Sequence, residues 1–256
     1  MSFLLSAIIM MSLSIPIFLG AERKEKSIIP HYVFGSSNSS REYIYSYQRI
    51  SPIVLKLKRV FDVFLALFIL ILTMPLCILV MIAIKLDSRG DVFYFQERVG
   101  LIDESGVHII KLCKFRTMQN NAEASTGPVW AMKNDKRITR VGWFLRKTRI
   151  DEIPQIINVL RGDMSMIGSR PERPQFYAEL EKHITGYRMR TYGVRPGITG
   201  WAQCNQGYDT CLDDVKKKFA YDMDYIRSLS SFNTWIKMEL KIIFKTVFMI
   251  LKMGGH

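Results

Sequence analysis

The chain has 256 residues and is strongly basic, with 36 Lys and Arg against 23 Asp and Glu, a net charge of +13 and a pI near 9.6. Hydrophobic residues make up 48% of it. This combination favours a membrane surface, because anionic headgroups attract cations while apolar helices insert. Nucleic acid would satisfy the charge but not the apolar segments, so no nucleic-acid partner is expected. The length suits one catalytic domain with appendages.

The first apolar segment covers residues 1–20 and is followed by the basic residues Arg23, Lys24 and Lys26. Its length is typical of a membrane helix. A secretory signal peptide is the alternative, although the stretch lacks a charged N-terminal region and a clear cleavage site. The basic residues would keep the following chain in the cytoplasm. Residues 21–55, which contain the run GSSNSSREY, are predicted to be a linker.

A second apolar segment, residues 56–86, predicts a membrane helix. Its core from Val60 to Ile84 would be about 37 Å long as a helix, enough to cross a bilayer. Pro75 lies near the middle and predicts a kink, because proline removes a helix hydrogen bond. Both ends are basic, with Lys56, Lys58 and Arg59 before the segment and Lys85 and Arg89 after it. The positive-inside rule then favours a re-entrant helix with both ends in the cytoplasm, and a kinked transmembrane helix is the alternative.

Residues 87–256 are predicted to form a cytoplasm-facing domain, and from Asp87 to about Tyr225 the composition is that of a soluble domain with short strand-like and helical stretches. The predicted fold class is therefore α+β and mostly helical. Near the C-terminus, four lysines fall on one side of an apolar helix, and they are Lys237, Lys241, Lys245 and Lys252. This pattern favours an amphipathic helix in the membrane interface, with a core-packed helix as the alternative. The four cysteines show no Cys-x-x-Cys spacing and are interpreted as reduced thiols.

Two adjacent acids, Asp151 and Glu152, lie within TRIDEIPQIINVLRGDMSMIGSRP. Pro154 suits the first turn of a helix and Gly162 its end, so the acids are predicted at the N-terminus of a short helix. Taken alone, they are typical of a capping device, since Thr148 and Asp151 have the spacing of a capping box.

Basic segments on both sides of the acids suggest a different role. The motifs KFRTM, FLRKTR and GSRPERP supply cations and Gly-Pro turns at three places. Cations gathered around a helix N-terminus make a phosphate site. Carboxylates beside bound phosphate are expected to hold a metal ion such as Mg²⁺ or to attack phosphorus.

Several long motifs then occur in an order that resembles the bacterial sugar transferases, the monotopic polyprenyl-phosphate phosphoglycosyl transferases. They are the basic apolar helix with Pro75, FQERVG, KFRTM, RKTRIDEIPQIINVLRGDMSMIGSRPE, VRPGITGWAQCN and YDMDYI. The resemblance covers the chain from about Lys56 onward. It implies transfer of a sugar 1-phosphate from a UDP-sugar to undecaprenyl phosphate with release of UMP and use of Mg²⁺. This would be the first membrane step of polysaccharide or glycoconjugate assembly, at the cytoplasmic face of the bacterial inner membrane.

The resemblance also implies roles for individual residues. Asp151 corresponds to a nucleophile that forms a covalent phosphosugar intermediate, and Glu152 to its partner in proton or metal positioning. Both acids are thereby candidate Mg²⁺ ligands. The remaining implied site residues are phosphate-contacting cations, namely Lys114, Arg116, Arg146 and Arg170.

Two departures from the family pattern qualify this expectation. Ser169 stands where the family usually has the first proline of Gly-Pro-Arg-Pro, so the loop that presents Arg170 is less fixed in φ. Long members also carry an upstream multi-helix membrane domain, whereas this chain has at most one additional apolar segment. The alternative function is therefore a non-catalytic, membrane-anchored scaffold of a glycan-assembly complex. The sequence does not select the UDP-sugar, and it leaves homo-oligomer formation open.

Overall fold

The computed structural model describes residues 50–120, 122, 135–207 and 211–252. The predicted membrane segment 1–20 and most of the predicted linker lie outside the described residues. The described helices are α1 (Pro52–Asp87), α2 (Arg140–Thr148), α3 (Gln155–Arg161), α4 (Pro174–His183), α5 (Trp201–Asn205), α6 (Leu212–Ser228) and α7 (Phe232–Leu251). The strands are β1 (Phe93–Asp103), β2 (Gly106–Phe115), β3 (Ser165–Ile167) and β4 (Gly197–Thr199), and the 3-10 turns are Ile150–Glu152 and Tyr187–Arg190. The predicted α+β, mostly helical class is confirmed.

Helix α1 extends beyond the predicted apolar segment at both ends. Ser51 caps its N-terminus, where the side chain accepts a hydrogen bond from the Val54 amide, and Pro52 occupies the first turn. Pro75 lies inside the helix, and the hydroxyl of Thr73 donates to the Ile69 carbonyl at 2.7 Å. Within the described residues, α1 is the one helix long and apolar enough to cross a membrane.

Two small sheets complete the secondary structure. Strands β1 and β2 form an antiparallel hairpin with an irregularity between Val99 and Ile102, and they confirm the two strand-like stretches. Strands β3 and β4 pair in parallel and were not predicted, because three-residue strands carry too little periodicity. A Cβ on Gly197 would overlap the backbone of Gly168, so glycine is required where these strands meet.

The largest apolar core joins α1, α3, β3, α6 and α7. It contains Val54 and Ala66 from α1, Val159 from α3, Tyr225 from α6 and Ile242 from α7. These helices are therefore held together by burial of apolar surface, which is the dominant stabilising contribution.

A buried polar cluster, which we call the anchor network, crosses this core. The Glu239 carboxylate of α7 accepts hydrogen bonds from Lys58 at 2.9 Å, Tyr225 at 2.8 Å and Trp235 at 2.8 Å. Asp62 lies 3.5 Å from Lys58 and accepts from the Met166 amide of β3 at 3.0 Å. Lys58, one of the predicted flanking cations, is thus an internal ion-pair partner that attaches α1 to α7.

Helix α7 has a packed face and an exposed apolar face. Trp235, Glu239 and Ile242 are buried against the core. The nitrogens of Lys241 and Lys245 lie 4.5 and 4.6 Å from the centre of the Trp201 ring. Two of the four predicted interfacial lysines therefore contact α5. The exposed apolar residues are Phe232 at the start of the helix and, further along it, Leu240, Phe244, Val247, Phe248, Ile250 and Leu251.

Candidate active site

A tight backbone turn presents the two acids. Helix α2 ends at Thr148, and Arg149 adopts a left-handed conformation with φ 57°, the only positive φ at a non-glycine residue among those described. Such a conformation is strained for a residue with a Cβ and is typical of functional sites. Asp151 and Glu152 follow in the 3-10 turn just before α3, whose C-terminal cap is Gly162 as predicted.

The capping-box interpretation is wrong. The Thr148 hydroxyl donates to the carbonyl oxygens of Phe144 at 2.8 Å and Leu145 at 3.2 Å, so it completes the end of α2. A capping threonine would instead accept a hydrogen bond from the first turn of the following helix. The two acids are therefore free of a capping role shared with Thr148.

Glu152 is held between two cations from distant parts of the chain. Lys114 of β2 donates to its carboxylate at 2.8 Å, and Arg170, from the loop after β3, donates to the same oxygen at 2.6 Å. The Glu152 side chain is 13% exposed. Charge-assisted bonds of this length are strong, and they fix the Glu152 carboxylate in one position.

The two acids have opposite pKa shifts. Burial and, after it, the neighbouring Glu152 charge raise the pKa of Asp151 to about 6, against the opposing effect of Lys114, Arg146 and Arg170. Burial also acts to raise the pKa of Glu152, but Arg170 and Lys114 outweigh it and hold that pKa well below its usual range. Glu152 thus stays ionised at neutral pH, while Asp151 titrates close to neutrality. Opposite shifts in neighbouring acids are typical of catalytic pairs.

Two further arginines contribute positive charge. Arg146, on the last turn of α2, acts electrostatically on Asp151, and its phosphate-contacting role stays a prediction. Arg98 of β1 was not assigned a role from the sequence, although it lies in the FQERVG motif. It donates to the Pro171 carbonyl at 3.1 Å, and burial followed by the charge of Arg170 lowers its pKa to about 10. Its position beside the Arg170 loop makes it an additional site residue.

Arg116 is directed at a different region. Its terminal nitrogens donate to the carbonyl oxygens of Arg89 at 2.9 Å and Ser88 at 2.7 Å, in the loop that follows α1. A side chain on Gly90 would overlap the Arg116 guanidinium. These contacts assign Arg116 to fixing the C-terminal end of α1. Its predicted phosphate-binding role stays a prediction that these contacts do not support.

The acids suit a divalent cation only together with a substrate. No group of three or more His, Cys, Asp or Glu side chains within the described ranges is placed to hold a metal. Glu152 is already neutralised by Lys114 and Arg170, which leaves the Asp151 carboxylate as the accessible hard oxygen ligand. Mg²⁺ is commonly held by one or two carboxylates plus substrate phosphates, so the residues present fit that mode.

The fold and the site define a class of protein: a domain on a long apolar helix, with a carboxylate pair set among cations suited to phosphate groups. The chain belongs to the bacterial sugar transferase family, whose sequence model matches residues 53–253.

Three curated proteins are similar to this chain over most of its length. The chain is 42% identical over 201 residues to a UDP-N-acetylgalactosamine-undecaprenyl-phosphate N-acetylgalactosaminephosphotransferase of Aeromonas hydrophila, covering 78% of this chain and 45% of the relative. It is 40% identical over 194 residues to a UDP-glucose:undecaprenyl-phosphate glucose-1-phosphate transferase of Escherichia coli K12. That match covers 75% of this chain and 39% of the relative. Exopolysaccharide production protein PSS of Rhizobium leguminosarum is 37% identical over 205 residues. That match covers 78% of this chain and 98% of the relative.

The chain thus spans less than half of the length of the first two relatives and nearly all of the third. The names of the first two relatives specify different sugars, although their sequence identities to this chain are almost the same. Overall similarity therefore does not select the sugar for this chain.

Proposed function

We propose that this protein transfers a sugar 1-phosphate from a UDP-sugar to undecaprenyl phosphate and releases UMP. The observation that carries the proposal is the arrangement of the acids: Asp151, with a pKa of about 6, lies beside a Glu152 that Lys114 and Arg170 hold ionised. The names of the relatives support the same reaction.

The chemistry assigned to Asp151 is nucleophilic attack. One carboxylate oxygen forms a bond to the phosphorus that carries the sugar, the diphosphate P–O bond breaks, and UMP leaves with that electron pair. A phosphate oxygen of the lipid then attacks the same phosphorus, and the acyl-phosphate bond breaks. Asp151 is regenerated as a free carboxylate, and the product is a lipid diphosphate sugar.

The cations make this attack possible. A carboxylate approaching a diphosphate meets like charge, and guanidinium and ammonium groups offset the repulsion and stabilise the departing phosphate. Lys114, Arg146 and Arg170 all act on Asp151, so three positive charges face two carboxylates before substrate arrives. The net positive charge suits an anionic substrate.

Mg²⁺ is part of the proposal. Asp151 would hold it together with the diphosphate oxygens of the substrate, because Glu152 is occupied by two cations. The ion would supply further neutralisation of the phosphate charge. The residues of the chain then have three tasks: Asp151 attacks, Glu152 orients the Lys114 and Arg170 side chains, and Arg146 adds positive charge.

Attachment of both ends of α1 to one domain supports a re-entrant path. At its N-terminal side, Lys58 pairs with Glu239 of α7. At its C-terminal side, the Asp87 carboxylate accepts from the Val141 amide of α2 at 3.1 Å. A simple crossing would place these ends on opposite sides of the bilayer, whereas both are bonded to the same domain. We therefore propose that α1 enters and leaves by the cytoplasmic face of the inner membrane.

The surface between those ends is suited to lipid. Large apolar side chains are exposed along the middle of α1, on α2 and on the second half of α7, and so much exposed apolar surface is typical of a membrane contact. The exposed apolar side chains along the middle of α1 and on α2 include Phe64, Phe68, Ile71, Leu72, Leu79, Trp143 and Phe144. A lipid phosphate at headgroup level would then lie near the acids.

A product assay tests the reaction. The membrane-embedded chain is incubated with undecaprenyl phosphate and Mg²⁺, and with UDP-glucose or UDP-N-acetylgalactosamine in parallel, and the released nucleotide is identified. We expect UMP, formed only when a sugar nucleotide that the enzyme accepts is present. Release of UDP would indicate direct glycosyl transfer, and no release with any UDP-sugar would favour the non-catalytic scaffold.

A further inference from the structure

The Arg170 guanidinium contacts Glu152, yet the backbone that presents it has no regular secondary structure. Residues 168–173 form the loop between β3 and α4. The Gly168 amide donates to the Thr199 carbonyl at 2.9 Å, and the Ser169 carbonyl accepts from the Gly197 amide at 2.9 Å. These bonds fix the loop at Gly168 and Ser169, and beyond Arg170 the Pro171 carbonyl accepts from Arg98 and the Glu172 carbonyl from the Val99 amide. The Arg170 carbonyl between them has a partner of its own.

That partner is Arg190, at the end of the second 3-10 turn. One terminal nitrogen of its guanidinium donates to the Arg170 carbonyl at 2.9 Å. In return, the Ser169 hydroxyl donates to the Arg190 carbonyl at 3.0 Å. The two segments are therefore connected in both directions, and the serine that replaces the family's proline supplies one of the connections.

Arg190 is in turn held by Asp222 of α6. The same terminal nitrogen lies 2.9 Å from the Asp222 carboxylate, and the two side chains are 7% and 2% exposed. The Tyr187 hydroxyl contacts the other terminal nitrogen, and the Tyr187 ring lies 4.8 Å from the guanidinium carbon. A buried ion pair is weak evidence for added stability, because desolvation offsets the attraction. Its contacts with the Arg170 loop point instead to a role in fixing geometry.

We propose that the Arg190–Asp222 pair positions Arg170 for catalysis. Asp222 fixes the Arg190 guanidinium, and Arg190 in turn fixes the backbone of Arg170. The Arg170 guanidinium is thereby directed at Glu152 and the substrate phosphate. The proposal rests on the proposed function, since it assigns Arg170 a part in the reaction. Neither Arg190 nor Asp222 contacts the acids in the described part of the chain, so both act through Arg170.

Two substitutions separate this role from general packing. Arg190→Lys keeps the positive charge beside Asp222, but a single nitrogen does not reproduce the fork that meets Asp222, Tyr187 and the Arg170 carbonyl together. Arg188→Lys is the matched control, because Arg188 lies on the same 3-10 turn and pairs with Glu181 of α4 at 3.0 Å. Among the contacts described above for the two arginines, that of Arg190 reaches the Arg170 loop and that of Arg188 reaches α4.

A double-mutant cycle gives the decisive readout. UMP release from the accepted UDP-sugar is measured for wild type, Arg190→Lys, Arg170→Ala and the double variant, with melting temperatures recorded for each. If Arg190 acts through Arg170, Arg190→Lys lowers kcat roughly tenfold in the wild-type background and less than about twofold when Arg170 is already alanine. Arg188→Lys changes kcat by less than about twofold relative to its own background, whether that background is wild type or Arg170→Ala.

Other outcomes overturn the role. If Arg190→Lys lowered kcat by the same factor in the wild-type and Arg170→Ala backgrounds, or lowered it in neither, positioning through Arg170 would be contradicted. If Arg190→Lys does not fold, Asp222→Asn takes its place in the same cycle, because it removes the charge that fixes Arg190 while keeping the side-chain shape. A wild-type enzyme that releases no UMP would overturn the reaction itself, which distinguishes that failure from failure of the cycle.

Discussion

Two clusters of charge in this domain use similar residues and differ in their surroundings. In the anchor network, Lys58 lies between Asp62 and Glu239, and the neutral donors Tyr225 and Trp235 also bond the Glu239 carboxylate. In what we call the acid-pair cluster, Lys114, Arg146 and Arg170 surround Asp151 and Glu152.

The two clusters differ in how much of their charge is left unbalanced. The anchor network balances its carboxylates with a lysine and neutral hydrogen-bond donors, and its charged side chains are almost fully buried. The acid-pair cluster has more cations than acids, and Asp151 has a pKa raised to about 6. A balanced buried cluster holds elements together, whereas surplus positive charge next to a perturbed acid is suited to bind and attack an anion.

Replacing Asp151 should give the largest effect on activity. Asp151→Asn keeps the shape of the side chain and removes the nucleophile, so kcat should fall by about three orders of magnitude or more while UDP-sugar binding persists. Turnover and nucleotide binding are measured separately on the same preparation. Near-normal turnover of this variant would remove Asp151 from the reaction.

The same variant should be more stable than wild type. Because the folded-state pKa of Asp151 is raised, its ionised form is disfavoured in the folded state at neutral pH. Asp151→Asn should therefore increase the free energy of unfolding by about 1–3 kcal/mol at pH 7. Glu152→Gln is the control with the opposite sign, since it leaves Lys114 and Arg170 without a charge partner.

Breaking the anchor network should affect stability far more than chemistry. Lys58→Met leaves Asp62 and Glu239 as buried charges without a cation, and we expect a loss of about 3–5 kcal/mol. Lys56→Met, on the exposed side of the same helix, should change stability by less than about 0.5 kcal/mol. Thermal unfolding in detergent measures both. Equal effects of the two substitutions would contradict the buried pairing of Lys58.

The pH dependence should report on Asp151. The free enzyme needs this acid ionised, so kcat/KM should fall about tenfold per pH unit below a pH near 6. Glu152, whose pKa is held well below its usual range by Arg170 and Lys114, stays ionised across this window and does not contribute. A rate that stays constant down to pH 5 would contradict the raised pKa of Asp151.

The smallest effect is expected at Ser169, next to the acid-pair cluster. Ser169→Ala removes the hydrogen bond to the Arg190 carbonyl and should cost about 1 kcal/mol of stability. Because Arg190 still donates to the Arg170 carbonyl, kcat should change by less than about threefold. Melting temperature and UMP release check both expectations. A loss of activity as large as that of Arg170→Ala would make Ser169 the main support of the loop.

The sequence predicted the features that depend on local pattern. The strand-like stretches VFYFQERVG and VHIIKLCKFRTM predicted β1 and β2, Gly162 predicted the end of α3, and the order of motifs predicted the family. The catalytic roles of Asp151 and Glu152 stay predictions. Features that depend on long-range contacts were missed. Arg116 belongs to a cationic motif, but its direction depends on the backbone of Ser88 and Arg89. Lys58 was assigned to a membrane flank because its partner Glu239 is 181 residues away.

The contribution of Arg98 could have been suspected from the sequence, because it is the arginine of the FQERVG motif. Its closeness to the Arg170 loop depends on how the β1–β2 hairpin packs, and local periodicity carries no such information. The Arg190–Asp222 pair could not be predicted from the sequence pattern either, because its two residues lie on separate elements.

Trapping the covalent intermediate tests the central claim most directly. Wild-type enzyme is incubated with labelled UDP-sugar and Mg²⁺ in the absence of a lipid acceptor, digested, and mapped by mass spectrometry. The account predicts a phosphosugar on the peptide that contains Asp151, UMP released in equal amount, and loss of the label when undecaprenyl phosphate is added. An enzyme that releases UMP only when the lipid acceptor is present, with no label on that peptide, would contradict it.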